Sequence, residues 1–214
     1  MSTKAPTVFI VDDDASVRRA LTRLLNAAGY PTEAFASAED FLTHSHFDSP
    51  GCILLDVRMP GLDGLELQQA LATGDRKLPI VFITGHGDIP MTVRAMKAGA
   101  ADFLPKPCNA EELLQIIAQA LSKSQREQNE RTEIGEIRRR LSTLTPREDE
   151  VLRHVVAGQL NKQIAADLGI AEKTIKIHRA RVMQKMGAGS LAELVGMAAR
   201  IGISALRIMN VRKY

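Results

Sequence analysis

Three apolar runs, VFIV at Val8 to Val11, CILL at Cys52 to Leu55 and IVFI at Ile80 to Ile83, punctuate the first 120 residues, with a weaker one at Asp102 to Leu104. Between them lie segments of helical period such as Val17, Leu21, Leu24 and Leu25, and Pro31 to Phe35 supplies one more short strand. A strand that is apolar without alternation is buried on both faces, as in parallel sheets. Parallel strands need a crossover between them, usually a helix, and such crossovers are right-handed. The expected fold of this part is therefore an α/β doubly wound parallel sheet with helices on both faces.

From Leu113 the spacing Leu113, Leu114, Ile117, Leu121 continues one more helix, after which SKSQREQNERTE is polar all round, as a linker or a solvated helical extension would be. Ile134, Ile137, Leu141 and Leu144 then form a brief stripe. Beyond Leu144 only helices are expected. Thr145 is suited to N-cap a helix with Pro146 at its first position and acids in its first turn; Gly158 ends it. Further helices follow over Asn161 to Leu168, Glu172 to Met186 and Ser190 to Ile201, with Gly169 and Gly187 as stops. The expected division is 1–122, a helical linker over 123–142, and a small all-α domain over 143–214.

Charge divides the chain in the same way. Residues 1–122 carry 10 basic against 15 acidic side chains, 123–145 carry 6 against 4, and 146–214 carry 12 against 6. An acidic front and a basic rear imply different partners, with a polyanion such as nucleic acid the leading one for the rear. Cys52 and Cys108 lie far apart and lack metal-ligand spacing, so reduced thiols are expected. The first residues fit neither a secretory leader nor a spanning helix, which points to a cytoplasmic protein with no membrane partner.

In an open parallel sheet, ligands bind outside the carboxyl ends of the strands. The residues that follow the apolar runs are Asp12, Asp13 and Asp14, then Asp56, then Thr84, with Lys106 just past the last run. Carboxylates at one rim form an oxygen-rich site for a hard cation such as Mg²⁺. An ammonium and a hydroxyl supply donors to phosphoryl oxygens. A carboxylate can accept a phosphoryl group, and that transfer needs mainly positioning and charge neutralisation. Asp56, alone at a central strand end, is the candidate acceptor. Taken singly, each residue also has a structural reading: DDD as a helix start, Asp56 as a turn cap, Lys106 as a solvated side chain.

VDDDASVR, LLDVRMPGLDG, FITGHGD and GAADFLPKP, in that order, resemble the receiver domain of two-component response regulators. The resemblance implies a flavodoxin-like five-stranded sheet of order 2-1-3-4-5 and phosphorylation of Asp56 by a sensor histidine kinase. It implies Mg²⁺, with Mn²⁺ as an alternative, on Asp12, Asp13, Asp56 and the backbone carbonyl of Arg58. Thr84 and Phe103 match the switch pair, Lys106 the phosphate-pairing lysine, and Arg58 and His86 the positions that tune hydrolysis of the acyl phosphate. Asp14 is expected to be a helix N-terminal acid. Cys108 stands where the family more often has Phe, after a Lys106–Pro107 bond that is commonly cis.

In the rear, NKQIAADLGIAEKTIKIHRARVMQKMGAGS has the form of a helix-turn-helix, whose second helix enters the major groove. At 100° per residue, Ile175, His178, Val182 and Met186 share one face, leaving Lys173, Lys176, Ile177, Ala180 and Gln184 opposite. Lys176 is suited to guanine acceptors, and Ile177 and Ala180 to thymine methyls. Arg179, Arg181, Asn161, Lys162 and Thr174 are better placed for phosphates. The alternative is a charged solvated helix.

This part resembles the LuxR-type helix-turn-helix of NarL/FixJ response regulators, with FixJ- and StyR-like members nearest in the front loop. The resemblance implies a homodimer when phosphorylated, packed through Leu191, Leu194 and Val195, on inverted half-sites of double-stranded DNA, with RNA polymerase a further partner. Ala171 occupies a position where the family often has a capping Ser. Two other classes remain: a phosphorylation-controlled protein-binding module, and an aspartyl-phosphate hydrolase, for which Asp56-Val57-Arg58 lacks a second Asp two residues on.

Overall fold

A computed structural model describes residues 5–43, 49–73, 78–85 and 89–203. Two compact units divide the chain at Asn129/Glu130. In the first, β1 (Thr7–Val11), β2 (Thr32–Phe35), β3 (Gly51–Asp56), β4 (Ile80–Thr84) and β5 (Asp102–Pro105) form one sheet of order β2-β1-β3-β4-β5. Every pairing is parallel. Its helices are α1 (Ala15–Ala27), α2 (Ala38–Thr43), α3 (Gly64–Ala72), α4 (Ile89–Lys97) and the start of α5 (Ala110–Leu141).

Successive strand residues face opposite sides, and the two cores separate accordingly. Val8, Ile10, Cys52, Leu54, Val81 and Ile83 join residues of α1 and α5 on one face. Phe9, Val11, Ile53, Leu55, Ile80 and Phe82 join α2, α3 and α4 on the other. All six residues of β3 are buried, which is why its run shows no alternation. Asp56 is the last of them. It stands where the chain leaves a strand covered on both sides.

The turn after Asp56 is shaped by close approach. Gly64 N–H donates to the Val57 carbonyl at 2.9 Å, and a Cβ at Gly64 would lie 2.3 Å from the Asp56 carbonyl oxygen. Only glycine fits there. Asp63 then caps α3 in a reciprocal box with Glu66.

The second unit contains the end of α5, then α6 (Pro146–Val156), α7 (Asn161–Leu168), α8 (Glu172–Met186) and α9 (Leu191–Arg200). Its core includes Ile137, Val151, Leu152, Val155, Ile164, Ile175, Val182, Met186 and Leu194. Thr145 caps α6 with Glu148 as its reciprocal partner and Pro146 in the first turn. Gly169 and Gly187, both left-handed, end α7 and α8.

The stretch expected as a helical linker, 123–142, is helical through Leu141 and contributes to both units' interiors. Ser124 is buried, its hydroxyl accepting from Gly51 N–H at 3.0 Å, and Ile137 is 2% exposed. One anchor lies in each compact unit: Ile137 belongs to the apolar stripe legible in the sequence, whereas the polar composition hid Ser124. Among the described residues no helix is long and apolar enough to cross a membrane.

Candidate functional site

At the carboxyl ends of β1 and β3, ligand oxygens of Asp12, Asp13 and Asp56 lie within 4.8 Å of one another. Asp12 is fully buried, Asp56 is 7% exposed, and Asp13 is exposed. Such crowded carboxylates need a cation, and the protein supplies one in Lys106, just past β5. Its Nζ is 2.6 Å from Asp12 Oδ2 and 3.3 Å from Asp56 Oδ2. The remaining Asp12 oxygen accepts from Asp14 N–H at 2.8 Å, and Asp56 Oδ1 accepts from Val57 N–H at 2.8 Å. Arg18 donates to the Asp12 carbonyl at 2.6 Å. Asp12 and Asp56 are thus each fixed by a backbone amide one or two residues on and by the distant Lys106.

Burial pushes the Asp56 carboxyl above its usual value, and Asp12 adds to this, while Lys106 and the Val57 amide oppose it. For Lys106, burial works to lower the pKa, but the hydrogen bonds and charges of Asp12 and Asp56 prevail and raise it. The ammonium is therefore retained. A buried carboxylate that resists ionisation is better served when a cation comes close.

Thr84, the last residue of β4, is 2% exposed, and its carbonyl accepts from Lys106 N–H at 2.7 Å. That bond holds the start of the Lys-Pro turn beside the strand end. Phe103 is half-buried on β5, paired in register with Phe82, with ring centroids 6.3 Å apart. The Lys106–Pro107 peptide is cis. Asp14 is the N-cap of α1, accepting from Ser16 and Val17, which matches its expected role as a helix acid. Arg58 is exposed in the loop after Asp56. His86 lies outside the described residues. All-oxygen donors of this kind suit a hard divalent ion with waters in its remaining positions, and the carboxylates present fit one.

In the second unit, Lys173, Lys176, Ile177 and Ala180 are exposed along one face of α8, and Ile177 is 47% exposed. Ile175, Val182 and Met186 are fully buried on the opposite face, with His178 half-buried among them. Arg181 and Lys162 are exposed and Thr174 half-buried; Arg179 Nη1 donates to Asn161 Oδ1 at 3.2 Å, tying α8 to the start of α7. Ala171 caps α8 without any side-chain bond, as expected of alanine. An exposed large apolar residue amid cations is suited to a groove that presents both acceptors and methyl groups.

One expectation needs correction. Leu194 is 0% exposed in this unit's own core, so it has no surface to offer a second copy. The three positions share one side of α9 by helical period, but packing turns Leu194 into the core, whereas Leu191 and Val195 are 42% and 36% exposed. Sequence reasoning also missed the lock between α6 and α8. Lys185 Nζ lies 2.6 Å from Glu148 Oε2 and 3.0 Å from the Thr143 carbonyl. Only the Thr-Pro-x-Glu capping pattern hinted that Glu148 had a role, and nothing in it pointed to Lys185.

Residues 8–118 match the response regulator receiver domain family, and residues 142–198 match the bacterial regulatory proteins of the luxR family. Nodulation protein W of Bradyrhizobium diazoefficiens is 48% identical over 204 residues, covering 95% of this chain and 89% of that protein. The response regulator protein TodT of Pseudomonas putida is 42% identical over 201 residues, covering 94% and 88%. A low-resolution structure of the response regulator StyR aligns with a TM-score of 0.85 at 49% identity, covering 92% of this chain and all of that one.

Proposed function

The chain belongs to the response regulators that join a receiver domain to a LuxR-type helix-turn-helix domain, and from that premise we propose that Asp56 is its phosphoacceptor and the exposed face of α8 its DNA-reading surface. Members of this family control transcription as the output of two-component systems and are not classical enzymes. A receiver implies a histidine kinase as donor, and the luxR-family domain implies DNA as target. The observation that carries the assignment of Asp56 is its place among three carboxylates within 4.8 Å, with Lys106 already bridging two of them.

In the proposed step, an Asp56 oxygen attacks the phosphorus of a phosphoimidazole. A P–O bond forms, the P–N bond breaks, and the imidazole leaves with its electron pair. Asp12, Asp13, Asp56 and the Arg58 carbonyl would hold Mg²⁺, which when bound neutralises phosphoryl oxygens. Lys106 exchanges its carboxylate partners for a phosphoryl oxygen, and the Thr84 hydroxyl donates to another. Movement of Thr84 leaves room for Phe103 to turn inward, which alters the surface of α4 and β5. Arg58 and His86 tune hydrolysis through the approach of water. Dimerisation then places two α8 helices on inverted half-sites, with avidity as the gain; Leu191 and Val195 are the outward residues of α9 available to it. The protein works in the cytoplasm, where kinase, DNA and RNA polymerase meet.

Mass spectrometry after treatment with acetyl phosphate tests this reading. One phosphoryl unit is expected with Mg²⁺, and none with chelator or in Asp56→Ala. Uptake that persists in Asp56→Ala would refute the assignment.

A further inference from the structure

The last three turns of α5 lie before residue 142, where the match to the luxR family begins, yet they belong to the second unit's structure. Ile137 is 2% exposed in its core, Leu141 packs against that core, and Glu133 pairs with Arg200 of α9. Within this segment Arg140 makes a contact of a different kind. Its Nη1 donates at 2.9 Å to the carbonyl of Met186, the last residue of α8.

That carbonyl is one of the acceptors a helix leaves open at its C-terminus, where a cation also meets the negative end of the dipole. Two of the other acceptors there are met by the backbone: Gly187 N–H donates to Gln184 and Ala188 N–H to Met183. Gly187 has φ +69°, and a Cβ at that position would lie 2.6 Å from Arg140 Nη1. The guanidinium thus sits in space that only glycine leaves open. Lys185, one residue before Met186, reaches the Thr143 carbonyl and Glu148. By contrast, the N-terminal end of α8 has no side-chain cap. The tail thus adds two long side-chain anchors to the buried face of Ile175, Val182 and Met186 and to the Arg179–Asn161 bond.

We propose that Arg140 is a positioning residue for DNA recognition, fixing the tilt of α8 through the Met186 carbonyl without touching DNA. The proposal rests on the reading of α8 as the DNA-binding helix. Lys176 is ten residues from Met186, roughly 15 Å along the axis at 1.5 Å per residue. A tilt of about 5° at the tail therefore moves it by about 1.3 Å, enough to spoil hydrogen bonds to base edges, whose geometric tolerance is narrow. Non-specific attraction to phosphates hardly depends on such a shift.

The test compares full-length wild type, Arg140→Gln and Arg140→Lys, each treated with acetyl phosphate and Mg²⁺ and matched for phosphoryl content by mass spectrometry, on two probes: a duplex enriched by the treated wild type from a random-sequence library, and poly(dI-dC). Arg140→Gln is expected to bind the enriched duplex about tenfold more weakly, as substitutions remote from a ligand can. Its binding to poly(dI-dC) and its salt slope stay at the wild-type level, and Arg140→Lys, which keeps a donor, recovers most of the loss. Amide exchange over residues 183–188 quickens in Arg140→Gln. Unchanged affinity for the enriched duplex overturns the proposal. So does an equal loss on both probes with the salt slope reduced by about one, the mark of a phosphate contact. If the wild type enriches no duplex, the reading of α8 fails and takes the proposal with it; enrichment by the wild type with no defect in Arg140→Gln sinks the proposal alone.

Discussion

Replacing Glu148 with Gln isolates the charge in the lock between α6 and α8. The side chain is 3% exposed, and its Oε2 accepts from Thr145 N–H at 2.9 Å and from Lys185 at 2.6 Å. Glutamine keeps an oxygen for the Thr145 amide but loses the ion pair. The hydrogen bond from Lys185, followed by that from Thr145, holds the Glu148 carboxyl down at about 2, against an ordinary 4.5. By linkage this is worth at most ~3 kcal/mol at neutral pH. Because Lys185 is 34% exposed and partly regains water when released, a loss of about 2 kcal/mol is expected, between the surface-pair and buried-pair ranges. For a unit of this size that lowers Tm by roughly 10 °C. Urea unfolding of the full chain, with hydrogen exchange to locate the transition in residues 143–188, measures it. The sign with pH is set by a depressed folded pKa: the stabilisation is complete above 4.5 and is lost as pH falls from there through about 2. A loss below about 0.5 kcal/mol, the scale of an ordinary surface substitution, would refute the reasoning. So would a wild-type-to-variant difference that stays constant from pH 7 to pH 3.

Other outcomes follow from the same geometry. Gly64→Ala should cost about 1–3 kcal/mol, since its Cβ meets the Asp56 carbonyl at 2.3 Å and something must move; Mg²⁺-dependent phosphoryl uptake should fall with it, and a neutral result on both counts would show that the loop yields freely. Cys52 is fully buried, and burial pushes its thiol up to about 12, whereas Cys108 is only half-buried. A thiol reagent at pH 8 should therefore label one cysteine in the native protein and two in denaturant, and rapid native labelling of both would contradict the core described above. Arg181→Ala should weaken binding to all DNA sequences and reduce the salt slope by about one, while Ile177→Ala should relax sequence preference at constant slope. Anisotropy titrations at several salt concentrations separate the two, and identical behaviour of both variants would argue against an α8 that reads bases.

Much of the architecture could be read locally. Each parallel strand announced itself as an unbroken apolar run, because burial on both faces removes alternation. Gly169, Gly187 and the Thr145-Pro146 start marked helix ends through backbone chemistry that acts within one turn. The placement of Asp12, Asp13 and Asp56 at strand ends also followed, since a parallel sheet brings all carboxyl ends to one rim. Less legible was the stretch around Ser124, where a single buried residue sat within a polar helix and gave too weak a period to reveal which interior it served.

Periodicity and turn chemistry, which depend on neighbours a few residues apart, are therefore enough to choose the elements, the sheet and the rim on which the acids gather. They say nothing of contacts between distant segments. That Lys106 bridges Asp12 and Asp56, that Leu194 turns inward while Leu191 and Val195 do not, and that Arg140 grips the end of α8 all depend on which faces pack together. Those choices belong to the tertiary structure, because a side chain's partner is set by the packing of whole helices and strands, and its own sequence neighbours carry no record of it.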